Sequence, residues 1–181
     1  MSDVIDRLIA EWDEEAPELD TSGMAIAGRL IALGDRLRER ATRVLGQFAL
    51  SYREFDVLAT LRRGGPPYAR PAGELARAVV LSSGAMTACL DRMERRGLIS
   101  RERSDQDRRT VIVRLTAEGR ALALKAARAW FRSVNALFAE AEADGLGEPL
   151  RCLLAGVETD AARTGRPSTG EAGPARAPHR A

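Results

Sequence analysis

The stretch SDQDRR at 104–109 places Asp105, Asp107, Arg108 and Arg109 within a single short turn. A carboxylate at such short range can orient a guanidinium. An oriented arginine suits a narrow and negatively charged space, above all a DNA minor groove, where the potential is enhanced. The acid costs some attraction to phosphate but fixes the direction of the arginine. The same residues also make a plain solvated hairpin tip, so their chemistry depends on the elements that carry them.

Other chemistry is poorly provided for. Cys89 and Cys152 are far apart and form no CxxC unit, which argues against a disulfide framework or a zinc site. The one histidine, His179, falls in a Pro/Gly-rich tail, so no histidine-based triad or His-ligated metal is expected. No phosphate-cradling glycine loop is present. The expectation is a protein that is not an enzyme and uses no cofactor and no metal. With 45% hydrophobic and 30% charged residues the chain has a globular profile. No apolar run reaches the roughly 20 residues that span a bilayer, and the acidic start lacks a signal peptide's basic region, so a cytoplasmic protein without a membrane partner is expected.

The net charge of +2 conceals an asymmetry. Residues 1–22 hold eight acids against Arg7, about −7, whereas residues 62–120 hold thirteen arginines against seven acids, about +6. A basic middle section is the electrostatic footprint of a nucleic-acid binder, although a solvated surface gives the same count.

Helical spacing predicts a short amphipathic helix over 3–15, with Val4, Ile5, Leu8, Ile9 and Trp12 on its apolar side, and a long helix over about 22–48. Ser51 and Glu54 form a capping-box pattern that opens a third helix, which Gly64-Gly65-Pro66-Pro67 ends. PAGELARAVVL and SSGAMTACLDRMERRG read as two helices separated by a turn near Leu81, the second capped by Ser82 or Ser83 and closed by Gly97. After Gly97 the period becomes two: LISRERS and RTVIVRLT flank the charged knot as a two-stranded antiparallel ribbon. Thr116 and Gly119 restart a helix to about 142, a last helix covers about 147–163, and the tail from Thr164 has little to bury.

The predicted fold class is therefore mainly α with a small β-hairpin: a winged helix-turn-helix DNA-binding lobe plus an α-helical dimerisation domain. Its parts are N-terminal dimerisation helices over 1–48, the lobe over 49–116, C-terminal dimerisation helices over 117–163 and a disordered tail over 164–181. The long terminal helices carry apolar stripes that the small lobe cannot cover, so a second copy is expected against them.

In such a lobe the second helix of the pair enters the major groove. Core spacing of Met86, Leu90 and Met93 turns Ser83, Thr87, Ala88, Asp91, Arg92 and Arg95 outward. Ser82, Ser83 and Gly84 at the helix start, together with the small Ala88, permit close approach to a phosphate. Thr87 suits a base edge or a thymine methyl, and Arg92 or Arg95 a guanine edge or a phosphate. Asp107, Arg108 and Arg109 complete the DNA-facing set, with Asp105 or Asp107 holding one arginine. Cys89 and Cys152 read as small buried hydrophobes. Cys89 also has Arg92 one turn on, a setting in which a thiol pKa falls and oxidant sensing becomes an alternative trigger.

The segment from Pro71 to Leu122, and above all its DxDRR wing followed by LTAEGRAL, resembles the core of MarR-type transcriptional regulators, over roughly residues 22–163. The resemblance implies a homodimer with two winged lobes on a pseudo-palindromic DNA operator, acting as a repressor. The N-terminal tryptophan helix, FDVLATLRRGGPPY and SSGAMT are further similar to the urate-responsive, PecS-like branch. In that branch a small anionic effector is held between the dimerisation region and the lobe. The matching positions are Trp12, Asp56 and Arg101, and the recognition-helix arginine that anchors the ligand falls at Cys89. Without that fixed cation three outcomes are open: a different or less charged ligand than urate, such as another purine or a phenolic, Arg92 as a substitute anchor, or loss of the response. A redox switch through Cys89, or an interaction module that does not bind DNA, are the alternative functions.

Overall fold

The structure is a computed structural model that describes residues 2–79, 83–104, 107, 109–143 and 145–163. Seven helices and three strands follow one another among them: α1 (Val4–Glu15), α2 (Ser22–Gly46), α3 (Tyr52–Arg63), β1 (Ala69–Pro71), α4 (Ala72–Ala78), α5 (Ser83–Arg95), β2 (Ile99–Arg103), β3 (Val111–Leu115), α6 (Ala117–Ala143) and α7 (Gly147–Arg163). They divide into two compact units, one through Val134 and one from Asn135. The expected turn at Leu81, the Ser82 cap, Asp105, Arg108 and the tail over 164–181 lie outside the described residues.

In the first unit, α1 begins at a capping box in which the Asp3 carboxylate accepts from the backbone of Ile5 and Asp6. Ile5 alone is buried on α1 and lies over Gly28 of α2, where an added Cβ would stand 3.0 Å from Ile5 Cδ1. Ser51 caps α3 with Glu54 returning to it, as the S-x-x-E spacing predicts.

The core of the lobe gathers Phe55, Val57, Leu58 and Leu61 from α3, Leu75 from α4, Met86, Leu90 and Met93 from α5, and Val113 and Leu115 from β3. Leu58 and Leu61 are fully buried, and truncating either to alanine costs about 2–5 kcal/mol.

The expected two-stranded ribbon is a three-stranded antiparallel sheet in the order β1-β3-β2. The third strand, β1, not expected from residue spacing, pairs Ala69 with Arg114 and Pro71 with Ile112. Three residues are too few to show a period of two, and the proline sits on an edge strand, where its missing N–H does no harm. On the other side of β3, Ile99 faces Leu115 and Arg103 faces Val111.

Two glycines fix the corners of the lobe. Gly97, at φ +69°, closes α5: its N–H donates to Glu94 O, and the Leu98 N–H donates to Met93 O. Gly119 lies in the first turn of α6, where a Cβ would overlap the Leu98 carbonyl oxygen and stand 2.8 Å from its carbon. Thr116 Oγ1 binds the same corner, accepting from Gly119 N at 3.0 Å and donating to Gly97 O at 2.7 Å.

Candidate DNA interface and effector site

The local sequence makes α5 two-faced. Met86, Cys89, Leu90 and Met93 are buried, while Thr87, Ala88 and Arg95 are exposed on the opposite side. Ser83 opens the helix, but its side chain lies outside the described residues.

Two sets of ion pairs hold α5 from different sides. Toward the wing, Arg101 of β2 binds Asp91 at 2.7 Å and Glu94 at 2.6 Å. Hydrogen bonds from the Arg101 guanidinium keep the Glu94 carboxyl below the ordinary glutamate value. Toward α3, Arg92 Nε reaches Glu54 Oε1 at 3.4 Å and Arg96 NH1 lies 3.9 Å from it. Burial would raise the Glu54 carboxyl, but the backbone N–H and hydroxyl of Ser51, with Arg92 and Arg96, bring it below its usual value.

These pairs change several expectations. Arg92 is solvent-exposed as expected, yet its guanidinium leans on Glu54. Arg101, expected at an effector, is occupied by two carboxylates of α5. At the wing tip Asp107 does not hold a guanidinium among the described residues. Its Oδ1 accepts from the Arg109 backbone N–H at 3.0 Å and its Oδ2 from the Thr110 hydroxyl at 2.8 Å. The acid therefore shapes the turn that aims residue 109 rather than the arginine's own head. The backbone hydrogen bond from Arg109, then the side-chain hydroxyl of Thr110, keep the Asp107 carboxyl below its ordinary value.

Of the expected effector residues, Trp12 is 46% exposed on α1, and Asp56 is half-buried on α3. Burial raises the Asp56 carboxyl and Arg63 offsets part of the effect. No hydrogen bond or ion pair among the described residues joins any two of Trp12, Asp56, Cys89 and Arg101.

Cys89 is 1% exposed, with its thiol 3.7 Å from Met93 Sδ. Burial and the Glu54 carboxylate push its pKa up, more than Arg92 and Arg53 pull it down. Cys89 is buried as expected, and the lowered thiol of the redox alternative is corrected, because the two guanidiniums do not outweigh burial and the Glu54 carboxylate. Cys152, expected to be buried, is exposed. No cluster of metal-ligating side chains occurs among the described residues, and none of their helices is long and apolar enough to cross a membrane.

Spacing alone gave no sign of Glu54, Asp91 and Glu94 as partners of arginines on other elements. Nor did it pair Tyr68 with Arg62 and Arg120, whose guanidinium carbons lie 6.0 Å and 5.3 Å from its ring centroid. Such pairs depend on how elements pack, which a period does not encode.

Comparison with known proteins accounts for this arrangement. The family model described as MarR family matches residues 50–111. The HTH-type transcriptional regulator PecS of Dickeya dadantii (strain 3937) is 37% identical over 115 residues, 64% of this chain and 69% of that protein. The transcriptional regulator BldR from Sulfolobus Solfataricus superposes with a TM-score of 0.63 at 27% identity, over 75% of this chain and 96% of that one. The transcriptional repressor CouR, bound to a 23-mer DNA duplex, gives 0.64 at 26% identity, over 75% and 98%. A capped α3, an α4–α5 pair, a three-stranded winged sheet and likeness across more than two thirds of a curated relative together show that this chain belongs to the MarR family of transcriptional regulators.

Proposed function

We propose that the chain is a homodimeric repressor of a pseudo-palindromic operator, released when a small effector binds beside the lobe. The observation that carries the DNA half is the exposed Thr87, Ala88 and Arg95 face of α5, next to a wing whose base Arg101 fixes on the same helix. On this reading α5 enters the major groove, with the Ser82–Gly84 segment at a phosphate, and Arg108 and Arg109 probe the flanking minor groove. Similarity to CouR, a repressor bound to a duplex, supports repression through DNA.

The dimer is supported by apolar side chains that remain exposed: Ile26, Leu30 and Ile31 on α2, and Leu150, Leu154 and Val157 on α7. This is the division into terminal dimerisation helices over 1–48 and 117–163 around a lobe over 49–116.

The effector half rests on the likeness to PecS and on Trp12 and the half-buried Asp56. Since Arg101 and Arg92 already face carboxylates, a neutral or weakly charged purine or phenolic suits the site better than a fully ionised urate. Release is a population shift: the effector favours dimers whose recognition helices are wrongly spaced for successive major grooves. Buried Cys89, with its raised thiol pKa, favours this trigger over a redox one.

The test is a thermal-shift screen of urate, other purines and phenolic acids, followed by gel-shift titration of the hits on DNA upstream of the protein's own gene. A hit that raises Tm and releases the duplex supports the reading. Binding of that duplex with no ligand able to release it contradicts the effector half.

A further inference from the structure

A capping-box glutamate ordinarily sits at the surface, where it satisfies its own helix start and little else. Glu54 is 6% exposed. Its two oxygens divide the work. Oε2 accepts from Ser51 N at 2.9 Å and from the Ser51 hydroxyl at 2.8 Å, completing the cap of α3. Oε1 faces Arg92 of α5 at 3.4 Å and Arg96, in the turn directly after α5, at 3.9 Å. Arg96 NH1 also donates to Ala49 O at 2.8 Å, in the bend before α3 where Ala49 has φ +53°.

A carboxylate so placed cannot lose its cations cheaply, because an unpaired buried charge is strongly destabilising. Conversely, Arg92 and Arg96 repel each other at their spacing of four unless an anion lies between them. The position of α5 about its own axis is thereby tied to the first turn of α3 by charge, and not by apolar packing alone.

We propose that Glu54 is a positioning residue for DNA recognition: it holds Arg92 and Arg96 and so sets the angle at which α5 presents Thr87, Ala88 and Arg95. The inference rests on reading α5 as the recognition helix. Glu54 itself touches no base or phosphate. Its loss therefore acts on discrimination between sequences and not on general attraction to DNA.

The experiment uses the full chain and the duplex that wild-type protein selects from a random-sequence pool, with a scrambled duplex of equal length beside it. Glu54→Gln keeps the size and an acceptor for Ser51 but removes the charge. We expect about tenfold weaker binding to the selected duplex, unchanged or slightly tighter binding to the scrambled one, and unchanged circular dichroism and oligomeric state. Introduced into an Arg96→Gln background, the same substitution is expected to change discrimination less than threefold, because the two act through one contact. Unchanged discrimination, or an equal loss on both duplexes, overturns the proposal. Should Glu54→Gln not fold, Arg96→Gln leaves the α3 cap whole and reads the same coupling, and undiminished discrimination in that protein overturns it. If wild-type protein selects no duplex, the DNA reading fails and this inference with it.

Discussion

The winged lobe and the terminal helices treat their apolar side chains in opposite ways. From α3 to β3 most of the described large hydrophobic residues are covered, Tyr52 and Val111 excepted, with Val57, Leu58, Leu61, Leu75, Met93 and Val113 entirely removed from solvent. On α1 only Ile5 is buried, while Val4, Leu8 and Trp12 remain exposed, and α7 leaves Leu153, Leu154 and Val157 in the open. The terminal helices have the composition of surfaces made for another surface, in line with the proposed dimer.

Substitutions that act on one region and spare the other sharpen this contrast. The largest effect is expected where α6 meets the lobe, from Gly119→Ala, which forces a Cβ into the Leu98 carbonyl. A cost of about 3 kcal/mol is expected from such overpacking. Calorimetry should then record a fall in Tm of about 6–12 °C. An unchanged Tm would mean that the corner of Gly97, Thr116 and Gly119 yields easily.

Next come the terminal helices. Ile31→Glu combined with Val157→Glu puts charge on exposed apolar faces of α2 and α7. The proposed dimer should loosen by about 2 kcal/mol, roughly 30-fold in dissociation constant, with the near-UV spectrum of the lobe retained. Sedimentation velocity reads this, and a dimer of undiminished strength would remove those faces from the interface.

A smaller change is expected from Arg101→Gln, which frees the wing from Asp91 and Glu94 at a cost of about 1 kcal/mol for a partly exposed cluster. Amide exchange in β2 should quicken while that in α3 stays as it was.

The smallest effect is acid dependence. Because the folded Glu54 carboxyl lies below its ordinary value of 4.5, its contribution is fully present above that value. The contribution is lost as pH falls through the lowered folded pKa. Urea titrations from pH 6 to 3 should show a shallower acid decline for Glu54→Gln than for wild type, and identical declines would deny the carboxylate this role.

Much of the architecture is legible in residue spacing. The Ser51 and Glu54 pattern marks the start of α3, Gly97 marks the end of α5, and the switch from period four to period two marks the wing. β1 escapes because it borrows its conformation from pairing with β3, and Tyr68 before it adopts φ +57°, which no periodicity announces. At the candidate site, exposure was readable but partnership was not. Thr87, Ala88 and Arg95 face outward as their spacing requires, whereas Arg92 and Arg101 find carboxylates far from them in sequence or on another element. Asp107 shows the same limit at short range: among the described residues its carboxylate accepts from a backbone N–H and a hydroxyl rather than from a guanidinium.

DNA recognition by α5 and the wing is tested most directly by the salt dependence of duplex binding. For the wild-type-selected duplex, log K should fall linearly and steeply with log salt as arginines displace counterions, losing about 0.9 in slope for each phosphate contact removed. Arg109→Ala should bind the duplex at least tenfold more weakly while remaining a folded protein of unchanged oligomeric state. Affinity independent of salt, or undiminished in Arg109→Ala, would contradict it.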